Sequence, residues 1–184
     1  MLDAAGVPFE AVSPGVDEEV AKASLHAEGL KAREMADALA ELKALKISGK
    51  RPGDLVLGCD SVVELQDGRL LDKAASRDEA AEHLHMLSGR RHYLYSAAVV
   101  AEGGRPVWRF VDRVTMHVRA LSDAFIADYL DREWEQVRWC VGVYRVEGPG
   151  AQLFSRIEGS QFTVIGLPLL PLLDYLRERG VLTS

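Results

Sequence analysis

The chain has 184 residues, 48% of them hydrophobic, and its 28 Asp and Glu outnumber 22 Lys and Arg for a net charge of −6. Such a length and apolar content suit one globular domain with a sizeable core, and the acidic balance offers no global attraction to nucleic acid. Only Cys59 and Cys140 occur, without CxxC spacing, which argues against a disulfide framework or a structural zinc site. No apolar run has the length of a membrane span, and the first twenty residues lack a signal-peptide pattern, which leaves the cytoplasm as the default compartment.

In chain order, residues 1–9 (MLDAAGVPF) read as the tail of a helix closed by Gly6, with Pro8 preventing continuation. Residues 10–16, broken by Pro14, predict a short strand leading to the acidic corner Asp17, Glu18 and Glu19, whose charges suit the first turn of a helix. From Ala32 to Lys46, the recurrence of Met35, Ala38, Leu39, Leu42 and Leu45 predicts an amphipathic helix with Lys43 and Lys46 near its end. Residues 48–54, with Gly49, Pro52 and Gly53, form the next loop.

The most informative stretch is 55–63, LVLGCDSVV. Its apolar run stops at Gly58, presents Asp60 and Ser61, then resumes with β-branched Val62 and Val63, the pattern of a buried strand that delivers one carboxylate. Cys59 reads as a small buried thiol. Asp67-Gly68 is a hairpin turn signal, and the returning strand ends at Asp72-Lys73, which brings Lys73 back towards Asp60. A carboxylate with an ammonium serves metal-assisted phosphate chemistry, the carboxylate holding a cation or taking a proton from water. Spacing alone favours an ordinary Asp–Lys pair at a sheet edge.

Ser76 three residues before Glu79 is a capping-box pattern that opens a helix with Ala80, Leu84 and Leu87 on one face, ended by Ser88-Gly89. Residues 93–100 and 108–118 predict paired strands across Gly103-Gly104. Ser122 caps a helix over 122–129, and a polar segment, 131–139, then leads towards 141–144. Glu147 precedes Gly148, Pro149 and Gly150, a tight turn or a close approach to a ligand. Residues 162–166 predict a strand, and Leu167-Pro168 starts a Leu-rich final helix ending at Gly180. This alternation indicates an α/β domain.

Eight fragments in a fixed order, LDAAGVPFE, VDE, LAELKA, GCDSVV, DGRLLDK, LSGRRH, VGVYRVEG and GLPL, resemble the Maf family of nucleoside triphosphate pyrophosphatases over nearly the whole chain. The resemblance implies a single domain over 1–184 with a mixed twisted sheet flanked by helices, two lobes around a central cleft, and hydrolysis of a nucleoside triphosphate to monophosphate and diphosphate. It puts Asp60 at the proton-acceptor position, Lys43 and Lys73 at the site lysines, and Glu18 at the acidic site residue. A divalent cation, Mg or Mn, would then be held by Asp60 and Glu18. Ser61, at a position that is often Thr, and Glu147 fall where the family discriminates bases. Glu147 replaces the Gln of the dTTP- and UTP-preferring branch and is similar to the branch acting on 7-methyl-GTP. Ala74 stands where Pro usually follows the site lysine, and Cys140 where the Gln-type branch often has a further lysine. A homodimer is implied, with neither nucleic acid nor membrane as partner. The family's opening strand and SxSxRR loop precede the position matched by Leu2. Weakened phosphate binding follows as an expectation, and with it an alternative: a catalytically weak or silent nucleotide-binding protein acting in cell-division control.

Overall fold

The computed structural model describes residues 1–183. A five-stranded sheet has the order β2-β1-β3-β4-β5, with β1 at Val56–Leu65, β2 at Leu70–Leu71, β3 at Arg91–Glu102, β4 at Arg105–Val118 and β5 at Phe154–Glu158. β1 pairs antiparallel with β2 and β4 with β5, and a two-residue Gly103-Gly104 turn joins β3 to β4. The described helices are α1 (Glu18–Ala27), α2 (Ala32–Ser48), α3 (Arg77–Leu87), α4 (Asp123–Val137), α5 (Gln161–Ile165) and α6 (Leu169–Glu178). Among the described residues no helix is long and apolar enough to cross a membrane.

The chain divides into two compact units, the first comprising Met1–Ser61, Tyr95–Asp112 and the chain from Ser160 on, the second Val62–Leu94 and Arg113–Gly159. In the first unit Ala98 and Val100 of β3 pack with Leu169, Leu172, Tyr175 and Leu176 of α6 and with Val7, and Trp108 of β4 stacks on Tyr175 with ring centroids 5.1 Å apart. α6 thus forms where its leucines predict, with Leu170 turned outward and 57% exposed. α2 also forms as predicted, but its buried face is Ala32, Met35, Ala36, Leu39, Ala40 and Ala44, while Leu42 is exposed. Small residues face the sheet because α2 runs very close to β1. A Cβ on Gly58 would lie 2.2 Å from the Ala40 carbonyl oxygen and 2.7 Å from the Ala44 nitrogen, a spacing that only glycine permits. Arg109 of β4 fixes the outer face of α2 through Asp37 and Glu41, each at 2.6 Å.

In the second unit α3 packs against α4. Ser76 caps α3 by accepting from the Glu79 amide, while the Glu79 carboxylate reaches back to the Ala75 amide. Ser122 caps α4 in the same way, through the Phe125 amide.

Three expectations are corrected. Residues 10–16 form no strand: Pro14 removes a backbone donor within the segment, and most of it is exposed. Residues 161–165 are helix rather than strand, and the apolar run there ends at Gly166 in a left-handed turn. The strand at this point is β5, just before it. Finally, α4 runs on through the polar stretch to Val137, because Tyr129, Leu130, Glu133 and Val137 keep helical spacing on its buried face.

Candidate active site

The first unit brings Glu18, Lys43, Asp60 and Ser61 together, and Asp60 is delivered by β1 immediately beyond the close approach at Gly58. Because α2 lies against Gly58, Lys43 reaches the strand, and its ammonium donates to Asp60 Oδ1 at 2.6 Å and to the Cys59 carbonyl at 3.4 Å. The same ammonium lies 2.7 Å from Glu18, the first residue of α1. Asp17 caps that helix by accepting from the Val20 amide, which fixes the turn that carries Glu18. One lysine therefore bridges two carboxylates.

The electrostatics follow from burial. Only 8% of the Asp60 side chain is exposed. Desolvation pushes its pKa above the ordinary aspartate value, with the nearby Glu18 charge adding to the rise, and Lys43 and Lys22 pull it part of the way back. Burial opposes the Lys43 charge, but Asp60 and Glu18 together outweigh it and raise its pKa, so the lysine stays protonated. Asp60 Oδ2 is buried and takes no hydrogen bond from the protein. A buried carboxylate oxygen without a donor is costly unless a ligand, a proton or a cation meets it. Burial pushes the neighbouring Cys59 thiol up to about 12, which makes it an inert packing group as expected.

Ser61 shares a 2.7 Å hydrogen bond with Ser96 of β3. A cavity of about 690 Å³ in the same unit is lined by Lys43, Gly58 and Cys59 with Phe9, Glu10 and Arg51. Lys43 alone of the acid–lysine group lines it, so the reacting atoms are not placed inside it.

Lys73 and Glu147 belong to the second unit and are exposed. There they are neighbours of Cys140: burial raises its thiol pKa, the Glu147 charge adds to the rise and the Lys73 charge opposes it. The loop bearing Glu147 is tied to α4. Arg145 donates to the buried Glu133 at 2.9 Å, and the Tyr129 hydroxyl donates to the Val143 carbonyl at 3.1 Å. Gly150 passes so near that a Cβ would lie 2.4 Å from the Arg145 carbonyl oxygen. The glycines that follow Glu147 thus serve a close approach of the loop to itself.

Two neighbours of the site escaped sequence reasoning. Lys22 lies four residues after Glu18 on α1, a spacing that places both on one helix face, and its charge reaches Asp60. Ser96 is a polar residue inside an apolar strand run, the kind of buried hydroxyl that requires a partner.

The fold is α/β, and one of its strands delivers a desolvated carboxylate to a lysine shared with a second acid. The chain belongs to the Maf family, whose model, described as Maf-like protein, matches residues 1–179. It is 55% identical over 183 residues to a protein of Caulobacter vibrioides named nucleoside triphosphate pyrophosphatase, an alignment covering 100% of this chain and 91% of that one. Proteins with the same name from Sphingopyxis alaskensis and Ruegeria pomeroyi are each 51% identical, covering 98% and 100% of this chain and 91% and 92% of theirs.

Proposed function

We propose that this chain is a nucleoside triphosphate pyrophosphatase in which Asp60 accepts the proton of a water attacking the α-phosphorus. The activity is the one named for relatives about half identical across the whole chain. The role of Asp60 rests on its divided carboxylate: Oδ1 is held by Lys43 at 2.6 Å, while the buried Oδ2 has no donor from the protein. As the water oxygen bonds to phosphorus, its proton passes to Oδ2. The bond from the α-phosphorus to the bridging oxygen breaks, and its electron pair leaves with diphosphate. Lys43 keeps its charge beside the reacting group and, with Lys73, offsets phosphate charge. Ser61 and Glu147 contact the base. A carboxylate at Glu147 suits a donor-bearing purine edge or a positively charged methylated base.

Asp60 and Glu18 are also the carboxylates that would hold a divalent ion, Mg or Mn, since magnesium sites commonly use one or two carboxylates with substrate phosphates, and the Asp60 oxygen without a donor has one lone pair for an ion and another for the water's proton. Among the described residues no three His, Cys, Asp or Glu side chains converge as a metal cluster, so the substrate and water would complete the shell. When bound, such an ion supplies charge neutralisation and orients water. Self-association as a homodimer belongs to the same reading, and sedimentation analysis of the 20.2 kDa chain checks it.

Hydrolysis in ¹⁸O-labelled water tests the site of attack. Label in the nucleoside monophosphate is the expected result, and label in the diphosphate contradicts it.

A further inference from the structure

Ser61 is the one base-contacting residue of this reading whose hydroxyl direction is set by its neighbours. Ser96, fully buried on β3, donates its single proton to the Thr163 carbonyl at 2.8 Å. A carbonyl oxygen only accepts, and a serine hydroxyl has one proton, so Ser96 has none left for its second partner. The 2.7 Å contact between Ser61 and Ser96 must therefore carry the Ser61 proton towards Ser96. The acceptor end of this chain is itself fixed. Thr163 is fully buried, its hydroxyl donates to Asp112 at 2.6 Å, and its carbonyl also receives the Gly166 amide at 3.0 Å. Its proton committed inward, Ser61 offers only lone pairs to anything else that reaches it.

We infer that Ser96 is a positioning residue that makes Ser61 a hydrogen-bond acceptor, selecting nucleotides whose base presents an N–H to it. The inference rests on the reading that Ser61 faces the base. Guanine, through its ring N–H and 2-amino group, and uracil or thymine, through the ring N–H, carry such donors. A site built around an acceptor discriminates against a base that has lost the donor, because the buried lone pair is then left unpaired.

The test measures Kd by calorimetry for non-hydrolysable α,β-imido nucleotides, so that turnover plays no part. The probes are the guanine and uracil nucleotides and three counterparts that each lack one donor group: 1-methylguanine and 3-methyluracil the ring N–H, and hypoxanthine the 2-amino group. In the wild type, loss of the N–H that Ser61 accepts weakens binding about tenfold. In Ser96→Ala the Ser61 proton is released and can turn outward, and the penalty falls to about twofold. A steric clash of an added methyl group would persist in that variant, which separates crowding from hydrogen-bond direction. The Thr163 carbonyl keeps the Gly166 amide in Ser96→Ala, and Ser96→Cys, nearer in volume and a poor acceptor, gives the same fall. A full penalty retained in both Ser96 variants but lost in Ser61→Ala overturns the inference while leaving Ser61 at the base. A penalty unchanged in Ser61→Ala, or absent from the wild type, overturns the inference together with the base-contact reading.

Discussion

At the scale of the residue, the role proposed for Asp60 requires a carboxylate that is both buried and ionised. Burial makes the carboxylate more basic than an exposed aspartate, which suits a proton acceptor, and Lys43 pulls its pKa part of the way back down. The acidic limb of the kcat profile therefore falls above the ordinary aspartate pKa, with activity lost as pH decreases through it. Lys43→Met removes the charge that lowers the Asp60 pKa, so the limb moves to higher pH while maximal kcat falls about a hundredfold or more. A limb that stays in place would separate Lys43 from the titration of Asp60. A second buried group acts on stability. Burial, with the His117 charge adding, pushes the His92 imidazole down to about 4, its Nε2 lying 2.8 Å from the Tyr144 hydroxyl. The unfolded chain binds this proton near pH 6.5, before the folded one does, so stability is present above that pH and is lost as pH falls towards 4. The loss amounts to about 2 kcal/mol by pH 5, and melting curves of His92→Gln should show a smaller drop between pH 7.5 and 5 than the wild type.

At the scale of the element, the site depends on the distance between α2 and β1. Gly58→Ala would drive a methyl group into the backbone of α2 at Ala40 and Ala44, which cannot yield as a flexible side chain can. Overpacking of this kind costs about 3 kcal/mol and lowers Tm by roughly 10 °C. The same shift moves Lys43 away from Asp60, so kcat should fall more than stability alone accounts for at a temperature where the variant is folded. Unchanged melting would contradict the close approach. This also explains what was legible. The strand bearing Asp60, the capped helices α3 and α4, and the Leu-rich α6 all declare themselves through local pattern and turn chemistry. The buried face of α2 did not, because it is chosen by how near β1 comes rather than by which side chains are most apolar. Residues 10–16 and 162–166 misled for the same reason: a short apolar run has no intrinsic preference strong enough to override its tertiary surroundings.

At the scale of the whole molecule, the candidate residues come from both compact units, with Glu18, Lys43, Asp60 and Ser61 in the first and Lys73 and Glu147 in the second. Reading Glu18, Lys43 and Asp60 as a group needed the family resemblance, since Asp60 lies 42 positions after Glu18 and no local periodicity links an acid opening one helix to a strand-borne carboxylate. The packing of α1 and α2 supplies the physical reason that they meet at one ammonium. Ser96 and Lys22 were outside that group because their roles depend on contacts that only the folded chain makes.

Asp60 catalysis is tested most directly by diphosphate release from a panel of canonical and methylated nucleoside triphosphates, with Mg²⁺ or Mn²⁺, by the wild type and by Asp60→Asn. The substitution keeps the shape of a buried side chain while removing its charge, so the variant should melt within a few degrees of the wild type. Release should fall at least a hundredfold in the variant, with nucleotide still bound. Release at the wild-type rate from folded Asp60→Asn would contradict the proton-acceptor role.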